Sequence, residues 1–167
     1  APTSMSRLAP VIARAAGARH GITGGQAWES EAEVNLDSYH RAKTGAMFEA
    51  ATVAGAIAAG ANPEAWRQVG SLIGAAYQVA DDIADAFGHE ETLGKPAGQD
   101  QTWSRPSAVA ELGLTGAVRR LDQLIDSAVD AIPECRGRTK LAGLLHDVAT
   151  RLCPPAVRAH VADHAGQ

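Results

Sequence analysis

The sequence predicts an all-α protein, and three observations carry that expectation. No period-2 alternation of apolar and polar residues, the mark of a half-buried strand, lasts more than a few positions. Alanine dominates and aromatic residues make up only 4% of the 167 positions, a composition that suits close-packed helices better than a β-sandwich. Helix start and stop signals recur along the chain. The length is that of one domain, and with 46% hydrophobic residues it can bury a sizeable core. Residues 1–167 are therefore read as a single all-α unit.

Each element has its own signature. Residues 4–17 place Met5, Leu8, Ile12 and Ala15 at three- and four-residue spacings and stop at Gly17. The stretch GARHGITGGQAWESEAEVNLD reads as a glycine-punctuated helix or turn leading into an acidic loop. A helix is expected over Ser38 to Gly60, with Ser38 as its cap and Gly60 as its stop. Asn62-Pro63-Glu64 then gives a capping residue, a proline in the first turn and an acid near the positive end of the next helix, expected over 63–87. A glycine-rich polar loop spans 88–103. Three shorter helices follow, near 106–112, 115–131 and 138–152, the last closed by Pro154-Pro155.

Composition excludes some functions. The net charge of −4 lacks the basic stripe that nucleic acid demands, so no nucleic-acid partner is expected. No apolar run approaches the about 20 residues that span a bilayer. The opening APTSMSRLAP carries no signal-peptide pattern, which leaves a cytoplasmic protein as the expectation. Cys135 and Cys153 form neither a metal-ligand spacing nor a disulfide framework, and read as two thiols of a reducing compartment.

One stretch conflicts with its surroundings. AYQVADDIADAF reads as a helix meant for burial, yet Asp81, Asp82 and Asp85 interrupt it. Asp81 and Asp85 fall one above the other on one helical face. Like charges at that spacing repel, and apolar neighbours raise the cost unless something positive compensates. Mg²⁺ fits the conflict, because it takes one or two carboxylates, keeps several waters and accepts phosphate oxygens. Further along, LGKPAGQD fixes a loop that presents Lys95 as a point charge suited to phosphate. Lys43 stands early on an otherwise apolar helix, in KTG, and Gln26 follows two glycines in GGQ. The small residues along both long helices, among them Gly45, Ala50, Gly70 and Gly74, predict close helix packing, or a ligand near the backbone.

GGQAWE, YHRAKTGAMF, GAAYQVADDIAD and LGKPAGQD stand in the order, and near the spacing, of the trans-isoprenyl diphosphate synthases, and the chain resembles that family from about Pro10 to Pro155. DDIAD resembles its second aspartate-rich motif. The texture of AWESE, YHRAKTGA and SRPSAVAELGL is most similar to geranylgeranyl diphosphate synthases of bacterial carotenoid and bacteriochlorophyll pathways. The resemblance implies an isoprenoid-synthase helical bundle and Mg²⁺-assisted ionisation of an allylic diphosphate. The resulting cation is attacked by the double bond of isopentenyl diphosphate, and a proton is lost. It also implies roles by position. Asp81 and Asp85 would ligate Mg²⁺, Asp82 would orient a metal-bound water, and Lys43 and Lys95 would hold the diphosphate. Gln26 would lie near the metal cluster. Thr44 and Gln78 would support the cavity of the cation, and Met47, Phe48 and Tyr77 would line it.

Members of that family resemble one another in carrying two aspartate-rich motifs on facing helices, in a chain roughly twice this length. One is present here. The other candidate, Asp122, Asp126 and Asp130 in DQLIDSAVD, has the apolar partners of a surface amphipathic helix. Three readings stay open at this point: the C-terminal part of a full synthase, a half-length subunit that pairs with a chain supplying the rest, and a non-catalytic diphosphate-binding regulator of a partner synthase. A class-I terpene cyclase is a fourth, against which KTG and GKPxG speak. Homodimerisation, or pairing with the N-terminal half of the fold, is the expected assembly.

Overall fold

The structure, a computed structural model, describes residues 4–19, 21–28, 41–93 and 107–164. Among them no strand occurs. Helix α1 runs Ser4–Ala16 and α2 Ile22–Trp28. A widened, π-type turn, Arg41–Gly45, leads into α3, Ala46–Ala58. The longest element is α4, Glu64–Leu93. Then come α5, Ala108–Asp130, α6, Arg138–Leu152, and α7, Pro155–His164. No described helix is long and apolar enough to cross a membrane.

Local chemistry sets the link between the two helices that carry the site. Past α3, Gly60 takes φ +70°. Its N–H donates to the Ile57 carbonyl at 3.1 Å, and Ala61 N–H donates to Ala56 at 2.9 Å. That pair of bonds closes the helix, and only glycine enters the left-handed conformation without steric cost. Two residues on, the Asn62 Oδ1 accepts from Glu64 N–H at 3.2 Å, so Asn62 caps α4 as its sequence position predicts.

The core forms where α4 meets α5. Val69, Ala76 and Ile83 of α4 pack with Ala117, Leu121 and Ile125 of α5, and Leu145, Cys153 and Val157 close the far side. Ile83, Leu121 and Ile125 are fully buried, each worth about 1.5–3 kcal/mol relative to an exposed side chain. The spacing of Leu121, Leu124, Ile125 and Ala128 turns one face of α5 inward. The acids of the opposite face stay outside: Asp126 faces His146 at 3.6 Å with its side chain 71% exposed. DQLIDSAVD is thus an amphipathic surface helix, as its pattern predicts.

Two boundaries differ from the sequence expectation. The helix expected to end at residue 87 continues to Leu93, so the polar loop starts later. The break expected between 106–112 and 115–131 is present: Gly113 takes a non-helical φ 69°, ψ 168°, and the helical segments on either side meet there in a kink within α5. Pro154-Pro155 ends α6 but also starts α7, because a proline in the first helical position loses no hydrogen bond. The cap expected at Ser38 lies outside the described residues. In α1 the expected stripe is only partly covered: Ala15 is buried, while Met5 and Ile12 are 73% and 59% exposed.

Candidate functional site

Close packing of α3 on α4 builds the floor of the site. A Cβ placed on Gly74 would lie 2.9 Å from the Gly45 Cα, and one placed on Gly70 would lie 2.6 Å from the Glu49 Cα. Real side chains do not tolerate such distances, so both positions require glycine. The expected role of the small-residue stripe in helix packing therefore holds at these two positions. Beside Gly70, the Thr52 hydroxyl bridges the helices by donating to the Trp66 carbonyl at 3.0 Å.

This proximity places the KTG turn against α4. The turn Arg41–Gly45 packs on α4 on one side and on α2, which carries Gln26, on the other. Wide turns of this kind are rare and occur mostly as single insertions in helices. Here the insertion offsets the chain at Lys43 and Thr44 just before α3 begins. Thr44 is half-buried and Gln26 exposed. Lys95 lies outside the described residues.

Above the floor sits an aromatic pair. Phe48 of α3 and Tyr77 of α4 meet with ring centroids 5.4 Å apart and planes tilted by 40°. Tyr77 is 42% exposed, and Met47, next to Phe48 along α3, 47%. Both are large apolar side chains left open to solvent beside a tightly packed floor.

One turn further along α4 come the aspartates. Asp81 and Asp85, which their i, i+4 spacing puts on one face, are both exposed, while Ile83 between them points into the core. Asp82 behaves differently. It is half-buried, and its Oδ2 accepts from the backbone N–H of Ala108 at 2.8 Å. Its Oδ1 faces the Gln78 amide at 3.5 Å. Gln78 thus reaches along its own helix to Asp82. The partner at Ala108, 26 residues away, carries no sign in the sequence beyond Ser107, whose hydroxyl accepts from Ala110 N–H at 3.1 Å and caps α5. Among the described residues no group of three or more His, Cys, Asp or Glu converges as a closed metal site.

Comparison with known proteins matches the chain to one family. The polyprenyl synthetase family model fits residues 5–142. A geranylgeranyl diphosphate synthase of Cereibacter sphaeroides is 48% identical over 160 residues, covering 96% of this chain and 56% of its own. A second one, from Rhodobacter capsulatus, is 46% identical over 151 residues, covering 90% of this chain and 52% of its own. In three dimensions the chain is similar to an FPP/GFPP synthase from Zymomonas mobilis, with TM-score 0.69 and 25% identity over 91% of this chain and 52% of that one. The chain thus spans about half the length of the relatives it matches.

Proposed function

Since the chain belongs to the polyprenyl synthetase family, we propose that it supplies one wall of a prenyl-transfer site that condenses an allylic diphosphate with isopentenyl diphosphate to give geranylgeranyl diphosphate. Two relatives that carry that product's name support this choice of product. The observation that carries the reading is the order of surfaces along α4: an open aromatic pair, then two exposed carboxylates one turn on.

That order matches the two ends of the substrate. Phe48, Tyr77 and Met47 offer apolar and aromatic surface to the hydrocarbon, and the ring faces stabilise a nearby cation. Asp81 and Asp85 lie at the diphosphate end. Two exposed carboxylates on one helical face suit Mg²⁺ completed by water and phosphate oxygens. When bound, Mg²⁺ offsets the negative charge that grows on the departing diphosphate. Lys43 and Lys95 add positive charge to the same group, Thr44 and Gln78 border the cavity, and Gln26 joins the polar side through α2. In this reading the opposite wall and most of the isopentenyl diphosphate site would come from the part of the relatives' length that this chain does not match. A cytoplasmic homodimer is part of the same reading.

The test is prenyl transfer itself. The 167-residue chain given farnesyl diphosphate, isopentenyl diphosphate and Mg²⁺ is expected to form no longer product. Joined to the N-terminal half of a relative, it should form geranylgeranyl diphosphate, and Asp81→Asn or Asp85→Asn should abolish that. A joined protein that folds but transfers no prenyl group contradicts the proposal.

A further inference from the structure

Asp82 stands next to Asp81 in sequence, yet it faces another direction and has other partners. Successive residues on a helix point about 100° apart. That rotation takes Asp82 off the exposed face shared by Asp81 and Asp85 and turns it toward the start of α5. There a carboxylate meets a helix N-terminus, the end at which the first N–H groups lack partners and the helix dipole favours negative charge. Asp82 Oδ2 takes the Ala108 N–H at 2.8 Å, and Ser107 takes that of Ala110. Two of the unpaired donors of α5 are therefore satisfied, one of them by a side chain of another helix.

We propose that Asp82 is a positioning residue: its carboxylate fixes the N-terminus of α5 to the turn of α4 that bears Asp81 and Asp85, and thereby holds that pair in register for a metal-bridged diphosphate. Its effect on the site rests on the function proposed above. The anchoring itself rests on the geometry alone. Asp82 acts through α5, and the Ala108 N–H is as much a part of the device as the carboxylate. The oxygen nearest α5 is committed to that N–H, and the other faces Gln78.

The two halves of the contact can be removed separately. Asp82→Asn keeps an acceptor oxygen but loses the charge, and Asp82→Ala loses both. Ala108→Pro removes the donor from the other side. Proline suits the first position of a helix, and Ser107 before it is already extended at φ −133°, ψ 155°, as a residue preceding proline must be. Two readouts apply to each variant: amide hydrogen exchange at Val109 and Ala110, and affinity for pyrophosphate in the presence of Mg²⁺, measured well below the unfolding temperature. Asp82→Ala and Ala108→Pro should each speed exchange about tenfold, the scale of a lost cap. Both should weaken pyrophosphate binding about three- to tenfold, and the double variant should be no weaker than either single one. Asp82→Asn should stay within about twofold of the parent in both readouts. If Asp82→Asn weakens pyrophosphate as much as Asp82→Ala while Ala108→Pro leaves it unchanged, Asp82 acts on the metal directly and the proposal is overturned. A parent chain that binds no Mg²⁺–pyrophosphate overturns the function proposed above. Exchange then decides the anchoring alone, and unchanged rates in Asp82→Ala overturn that too.

Discussion

Gly74 of α4 lies so close to Gly45 that a Cβ at position 74 would come within 2.9 Å of the Gly45 Cα. The contact ties the end of the KTG turn to the helix that carries the aspartates, so floor and site share one packing constraint. Gly74→Ala cannot be absorbed by a flexible side chain, because the nearest atom is backbone. It should destabilise the fold by about 1–3 kcal/mol, as overpacking does. It should also displace the turn, weakening pyrophosphate binding even where the variant is fully folded. Denaturant unfolding and calorimetry on the same preparation check both effects.

The Phe48–Tyr77 pair makes a second, separable prediction. Its geometry is that of a favourable tilted contact, worth about 0.5–1.5 kcal/mol beyond area burial. A double-mutant cycle with Phe48→Leu and Tyr77→Leu should return a coupling energy of that size. Under the proposed function, each single variant should leave pyrophosphate affinity nearly unchanged while weakening the binding of farnesyl diphosphate.

Arg158 of α7 donates to both oxygens of Asp122, at 3.0 and 2.8 Å. The pair fastens α7 onto α5 and, with its side chains 35% and 45% exposed, feels solvent and salt. Arg158→Met should lower stability by about 1 kcal/mol at low salt and by less at high salt. Asp122 therefore serves tertiary structure, and Asp122→Asn should leave pyrophosphate affinity unchanged.

Cys153 is fully buried, and burial pushes its thiol above the ordinary 9.0. The folded protein keeps a proton that the unfolded chain gives up. The stability tied to that proton is complete below pH 9.0 and falls as pH rises beyond it toward the folded value. Cys153→Ala should flatten this alkaline decline. A thiol reagent should modify exposed Cys135 quickly and Cys153 only on unfolding.

The parts of this fold that could be read from sequence were those written locally. Asn62, Pro63 and Gly60 announced the junction of α3 and α4 because caps and left-handed stops depend on neighbours within a turn. The pairing of Asp122 and Asp126 with Leu121 and Ile125 turned one face of α5 outward and the other to the core for the same reason. Pro155 misled, since proline both ends a helix and starts one, and only the burial of Val157 and the reach of Arg158 to Asp122 decide for α7. Gly113 marked the break that the structure shows as a kink, with Ala108 and Val109 before it and Leu121 and Ile125 after it packed on one core. At the site, the i, i+4 spacing located Asp81 and Asp85 on one open face. The contact of Asp82 with Ala108 was invisible, because it joins residues distant in sequence through a backbone donor that every residue type carries.

Asp81 and Asp85 are proposed to bind a diphosphate through a shared divalent cation. Calorimetric titration of pyrophosphate into the chain, with and without Mg²⁺, tests it most directly. Two exposed carboxylates alone should hold Mg²⁺ weakly, because the ion gives up its water reluctantly. Pyrophosphate and Mg²⁺ should therefore bind together, each raising the affinity of the other, and Asp81→Asn or Asp85→Asn should remove that mutual gain while leaving the helical signal intact. Equal pyrophosphate affinity with and without Mg²⁺, or full synergy in both asparagine variants, would contradict the account.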